Sequence, residues 1–279
     1  MLFTSIKVHL VFRFQVYMQF LFRWLIYGNF WIAFGAVGLT YANSIMIYNQ
    51  VNCKLLIVVF LTTLSGYNLQ RIMRGKEQNS FEIKDDWLSK NIISLAIISI
   101  VSLFICAYLF IGISLDRLLI FAPFSFIVLF YRWPILGISL RDIPFIKVLL
   151  IAFCWGFVTV FLPELFYGNE FLNNWIYILS SFLYILGITI PFDIRDMDLD
   201  NQSKKTIPQL FGKPLSCLFA TAIILLSGLV FLTLKQYSMF LHCLFSALIV
   251  LFSYKTRPDY YYSFILDGLL VIIPLYFLL

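Results

Sequence analysis

The sequence predicts an all-α integral membrane protein of eight or nine spans, built as one domain over residues 1–279. Three observations carry this. Of the residues, 62% are hydrophobic and 12% charged, against about 25% charged in a soluble domain. The apolar residues arrive in runs of about twenty, the number a helix needs to cross the hydrocarbon layer. The basic residues fall almost wholly on one side of the spans so defined. A soluble enzyme is excluded as a reading. The excess of 20 basic over 14 acidic residues reports membrane orientation and not a nucleic-acid partner.

The chain opens MLFTSIKVHLVFRFQVYMQFLFRW, with no small-residue cleavage site, so no removable signal peptide is expected and Lys7, Arg13 and Arg23 read as interfacial anchors. Apolar segments follow at 24–48, 53–73, 91–113, 117–133, 145–163, 171–192, 215–234, 237–254 and 260–279. Backbone groups inside lipid must be satisfied within their own segment, so each is read as a helix; the run at 117–133 is the weakest of the nine. With the N-terminus cytoplasmic, 17 of the Lys and Arg residues fall on the cytoplasmic side and three, Lys54, Arg117 and Lys235, on the other. Two long polar loops, 74–90 and 193–214, lie on the cytoplasmic side. The five cysteines are scattered through the apolar runs with no CxxC, and read as packing residues without a disulfide framework or metal site.

The strongest chemical signal is PFDIRDMDLDNQSKKTIPQLFGK, Pro191–Lys213, where four carboxylates fall within eight residues directly after an apolar run. At about 100° per residue, Asp193, Asp196 and Asp200 lie within about 60° of one another on a helix surface, and Asp198 points elsewhere. Like charges on one stripe call for a cation, and oxygen-only ligands select Mg²⁺ or Ca²⁺, Mg²⁺ being the one that shares a few carboxylates with substrate phosphates. Arg195, Lys204 and Lys205 stand near enough to meet the remaining phosphate oxygens. The alternative is a solvated loop whose acids and bases neutralise one another. Regular spacing at the end of a membrane helix favours an ion or substrate site. Tyr67 and Tyr131 are singled out among the aromatics because both stand near the cytoplasmic ends of their apolar runs.

This segment resembles the second aspartate-rich motif of the UbiA-type intramembrane prenyltransferase superfamily, DxxDxxxD followed by a basic TxP turn, here Asp193, Asp196, Asp200, then Lys205, Thr206 and Pro208. The resemblance extends to Arg141–Leu165, with the characteristic Lys and Trp at Lys147 and Trp155, and to YYYSFILDGLL, which places Asp267 inside the last span. It implies about nine helices around a central cavity that binds a prenyl diphosphate through Mg²⁺ at the cytoplasmic mouth, its tail among the helices. An isoprenoid group would pass to a lipophilic acceptor, such as an aromatic or quinone precursor. The implied metal ligands and catalytic residues are Asp193, Asp196 and Asp200. The implied substrate contacts are Asn68, Arg71, Tyr131, Arg141, Lys147, Lys204, Lys205 and Asp267.

The first motif departs from the family pattern NDxxDxxxD. The segment reads SGYNLQRIMRGKE, which keeps Asn68 but has no aspartate before Asp85. Arg71 and Arg74 stand where carboxylates are expected, and Arg71 is suited to pair with phosphate bidentately. Asp85 and Asp86 read as solvated. The departure opens a second reading, a family member that binds a polyprenyl lipid without turnover; a small transporter is a third, motivated by helix number and Asp267. The expected location is a bacterial cytoplasmic membrane, with the Asp-rich loop on the cytoplasmic side.

Overall fold

The computed structural model describes residues 17–75, 83–119, 122–131, 145–167, 174–197 and 205–278, with single positions 133, 139, 140 and 143 between them. Among these residues the regular structure is helical throughout. Residues 17–27 form the described part of α1. Gly28 and a left-handed Asn29 (φ 63°) then turn the chain into α2, Phe30–Tyr48, asparagine being one of the few side chains that tolerates this conformation. There follow α3 (Cys53–Gly75), α4 (Ile83–Leu109), α5 (Leu115–Leu119), α6 (Ala122–Phe130), α7 (Ile146–Tyr167), α8 (Trp175–Asp196), α9 (Ile207–Thr233) and α10 (Tyr237–Leu251). The chain closes with a π-helical stretch, Tyr261–Leu266, that passes into α11 (Asp267–Ile272) and a tighter 3₁₀ end, Ile273–Phe277.

Seven helices among the described residues are long and apolar enough to cross a bilayer, drawn from α2, α3, α4, α7, α8, α9 and α10 with its 3₁₀ extension. The last expected span is present as the shorter apolar helix Tyr261–Phe277. The run at 117–133 becomes two short helices. The nine residues of α6 rise only about 13 Å, less than half of a bilayer's hydrocarbon. The seventh span starts earlier than its apolar run. Thr206 is the N-cap of α9, its backbone N–H donating to Gln209 Oε1 at 3.0 Å, with Pro208 in the first turn. The polar residues before 215 are thereby drawn into helix, and Gly212 (φ 77°) kinks it.

α8 lies between α7 and α9, α9 packs on α10, and α2 packs on α3, α7 and the last helix. Outward faces are apolar: Ile93, Ile97, Ile100, Leu103, Phe104 and Tyr108 of α4 are all exposed, as expected where the solvent is lipid. Between the helices polar side chains join across the bundle, where small and polar residues drive association in lipid. Asn43 of α2 donates to Thr159 Oγ1 of α7 at 3.2 Å and to Ser181 Oγ of α8 at 3.3 Å. Ser227 of α9 donates to the Ser180 carbonyl of α8 at 2.8 Å. Tyr184 Oη of α8 meets His242 Nε2 at 2.5 Å and Ser246 Oγ at 3.0 Å, both on α10.

The approach of α2 to the last helix depends on glycine. A Cβ at Gly38 would lie 2.2 Å from the Leu270 carbonyl oxygen, a backbone atom with no rotamer to retreat into. Gly38→Val is therefore expected to lower stability by more than the 1–3 kcal/mol of ordinary overpacking. Thermal unfolding in detergent should show a clearly depressed midpoint, and an unchanged midpoint would mean that the two helices do not sit this close.

Candidate active site

The start of α2, the end of α3, the start of α7, the end of α8 and the start of the last helix meet at one end of the bundle, around a cavity of about 320 Å³. Its walls divide in character. Ile32, Ile127, Val128, Leu150, Ile151, Ile185, Ile188 and Leu270 are aliphatic, and Trp31, Tyr67, Tyr131, Trp155 and Phe192 are aromatic. Into the same space come three acids, Asp193, Asp196 and Asp267, three bases, Arg71, Lys147 and Arg195, and the amides Asn29 and Gln70.

α8 carries the acidic wall. Asp193 and Asp196 are three residues apart, so a helix that continues to Asp196 sets them one turn apart on one side. Asp193 is buried and lies 2.5 Å from Lys147 Nζ, which rises from the first turn of α7. Arg195 grips Asp196 with two nitrogens, Nε to Oδ1 at 2.7 Å and a terminal nitrogen to Oδ2 at 3.2 Å. A further nitrogen of Arg195 reaches Asp259 Oδ1 at 3.0 Å. The Arg195 guanidinium also stands 5.3 Å from the Phe192 ring centre and 5.6 Å from that of Tyr262.

The other walls are fixed by longer connections. Arg71 donates to the Tyr27 carbonyl, at the end of α1, where a helix leaves carbonyls without partners of its own. Asn29, held at its left-handed turn, donates to Asn68 Oδ1 at 2.7 Å. Trp155 Nε1 donates to Tyr67 Oη at 3.2 Å, and the two rings meet edge to face. On the last helix the π-helical stretch delivers Asp267 to the cavity. There the Phe264 carbonyl accepts from Trp31 Nε1 at 2.9 Å, and the two rings stack at 5.0 Å.

Of the residues singled out in the sequence, Asp193, Asp196, Asp267, Arg71, Lys147, Tyr67, Tyr131 and Trp155 line this one cavity. Two do not. Asn68 is fully buried behind Asn29 and is not on the lining, and Lys205 is exposed, at a left-handed position (φ 45°) beside the α9 cap. Asp200, Arg141 and Lys204 lie outside the described residues. Asn29 and Gln70 were not read from sequence, whereas Arg195, read there as a group for phosphate oxygens, is on the lining too. Gly28–Asn29 is a turn dipeptide inside an apolar run, and that was the signal available for Asn29.

No three His, Cys, Asp or Glu side chains among the described residues form a metal-holding group. What α8 offers is a pair of carboxylates one turn apart. That donor set suits Mg²⁺ completed by substrate phosphate oxygens and not an all-protein cage.

No family model and no curated protein sequence matches the chain. Among solved structures it matches one reported under structural and mechanistic insights into digeranylgeranylglyceryl phosphate synthase in membranes, with a TM-score of 0.55 and 18% identity over 92% of this chain and 95% of that one. The two chains share a fold. The likeness to the synthase runs almost end to end in both, so the helical bundle around the cavity falls within what they have in common. The shared fold is the all-helical one expected from the sequence.

Proposed function

We propose that the protein is a membrane prenyltransferase, moving an isoprenoid group from a prenyl diphosphate to a lipophilic acceptor. The observation that carries the reading is the division of one cavity into a charged end and an apolar wall. A substrate with an anionic head and a hydrocarbon tail matches both parts. A polar metabolite gains little from the aliphatic wall, and a neutral lipid has no use for six ionisable groups. The synthase that shares the fold is named for digeranylgeranylglyceryl phosphate, a lipid with isoprenoid chains and a phosphate, and this supports an isoprenoid substrate.

In such a transfer the allylic carbon–oxygen bond breaks and its electron pair leaves with pyrophosphate. The allylic cation is then captured by the acceptor's nucleophilic atom, which gives up a proton. Arg71, Lys147 and Arg195 are the groups that meet the charge building on the leaving oxygens. The rings of Trp31, Tyr67 and Trp155, on the lining, offer π faces to the cation. Asp193 and Asp196 would hold Mg²⁺, with Asp200 the third ligand expected from sequence, and Mg²⁺ so bound supplies Lewis-acid charge against the departing diphosphate. On the distribution of Lys and Arg, the mouth faces the cytoplasm.

One observation favours a second reading. α3 has no acidic residue in its 23 positions and presents Gln70 and Arg71 to the cavity, an arrangement that suits holding a diphosphate without breaking it. The test is binding of geranylgeranyl diphosphate to the purified protein, with and without Mg²⁺, followed by pyrophosphate release when aromatic and quinone-precursor acceptors are added. Mg²⁺-stimulated release is the expected result. Binding without release from any acceptor or to water favours the lipid-binding protein, and absence of binding overturns both.

A further inference from the structure

Resting on that reading, we infer that the site is closed by its own ion pairs and opens to Mg²⁺ and diphosphate only as a pair, each admitting the other. The three acids and three bases on the lining balance in charge. Two of the acids are already engaged by two of the bases, Asp193 with Lys147 at 2.5 Å and Asp196 with Arg195 at 2.7 and 3.2 Å. All four side chains are at least four-fifths buried.

A divalent cation arriving alone has to draw Asp193 and Asp196 away from Lys147 and Arg195. That leaves the Lys147 ammonium, and the Arg195 guanidinium with Asp259 but without Asp196, beside the new charge, with little water to screen them. A diphosphate arriving alone has to draw the same two cations away and then rest against three carboxylates. Separating a buried pair and leaving one partner uncompensated is the costly operation. When both arrive, the partners are exchanged: carboxylates pass to the metal, and Lys147 and Arg195 pass to the phosphate oxygens. Each charged side chain keeps an opposite charge beside it, and metal and diphosphate together carry less net charge than either. The ion pairs are therefore latches that the substrate and its metal exchange, and coupling between the two ligands is reciprocal by thermodynamic necessity.

The experiment uses the full chain in detergent, with Mn²⁺ as a paramagnetic stand-in for Mg²⁺ and geranylgeranyl diphosphate as the anion. Affinities are calculated on free species, so that complex formation in solution is removed. The wild-type chain is expected to bind each ligand at least about tenfold more tightly when the other is present, within the usual range of coupling. The variants carry the sharper expectation. Lys147→Gln removes the ammonium that Asp193 meets at 2.5 Å and should tighten binding of Mn²⁺ alone by about tenfold, whereas Asp193→Asn removes the carboxylate charge that engages Lys147 and should tighten binding of the diphosphate in EDTA by about as much. A residue serving only to hold the helices together would weaken both ligands or neither. Equal wild-type affinity for each ligand alone and in company overturns the inference, as does a Lys147→Gln or Asp193→Asn chain of normal size-exclusion profile whose lone-ligand affinity is unchanged or lower. Should either variant fail to fold, the wild-type coupling decides. If geranylgeranyl diphosphate binds under no condition the functional reading fails as well; if it binds with Mn²⁺ and the predicted shifts are missing, only the latch is lost.

Discussion

Asp196→Asn is expected to reduce pyrophosphate release from geranylgeranyl diphosphate by at least about a hundredfold, the scale on which removal of one strong stabiliser of developing charge is felt. The substitution keeps the volume of the side chain and an oxygen for Arg195 to donate to, so the end of α8 has no packing reason to move. What it removes is the negative charge by which Asp196 both holds Arg195 and would ligate a divalent cation. The loss should therefore fall on turnover in Mg²⁺, measured as pyrophosphate released to acceptor or to water, while the melting temperature in detergent falls by less than for Arg195→Met, because Arg195 keeps Asp259. Turnover within a factor of three of wild type would remove Asp196 from the chemistry.

Arg195→Met should act in the opposite way, on the protein before it acts on the reaction. Arg195 holds Asp196 with two nitrogens and Asp259 with a third, and lies against Phe192 and Tyr262. Methionine preserves much of the apolar contact and none of the charge, so Asp196, less than one-fifth exposed, loses the opposite charge and the two hydrogen bonds that Arg195 gives it. Removing one member of a buried pair costs about 3–5 kcal/mol, and the partial exposure of both partners trims the expectation to on the order of 3 kcal/mol. Asp259 is more exposed and adds little. Thermal unfolding should show a large fall in midpoint for Arg195→Met and a much smaller one for Arg195→Met combined with Asp196→Asn, because the second change removes the charge that Arg195 opposed. Equal falls in the two would mean that Arg195 stabilises through packing alone.

The spans were legible because lipid makes a local demand. Each crossing segment must carry its own apolar length and satisfy its own backbone, and runs such as 53–73 and 237–254 are recognised without knowledge of their neighbours. The run at 117–133 is described only as the short helices α5 and α6, with residues 120 and 121 between them outside the described residues. The start of α9 was hidden by polarity, although the Thr206–Gln209 spacing is a helix-start signature. The cavity was legible where the chemistry is dense in sequence, as at Asp193 and Asp196, or where a charge stands out against an apolar run, as at Arg71 and Asp267. It was illegible where a side chain is brought by the fold: Asn29 meets α3 through Asn68, 39 residues further on, and nothing local marks that meeting. Arg195 sits among aspartates and reads in one dimension as their neutralising neighbour. In three dimensions it joins the end of α8 to Asp259, ahead of the last helix.

The π-helical stretch at Tyr261–Leu266 has a consequence for how this chain can be altered or aligned. Such a stretch holds one residue more than the α-helical turn it replaces, so everything beyond it is set about 100° further round the axis than an uninterrupted α-helix would place it. Loss of a single residue from this stretch would restore the ordinary winding. The same stroke would turn Asp267 off its heading and carry Gly268 and Leu270 away from α2. Every other residue of the last helix would keep its chemical identity and lose its address. The stretch thus works as a phase setting for the end of the chain, and a comparison that runs a homologous helix through it without a gap will assign each following side chain to the wrong face.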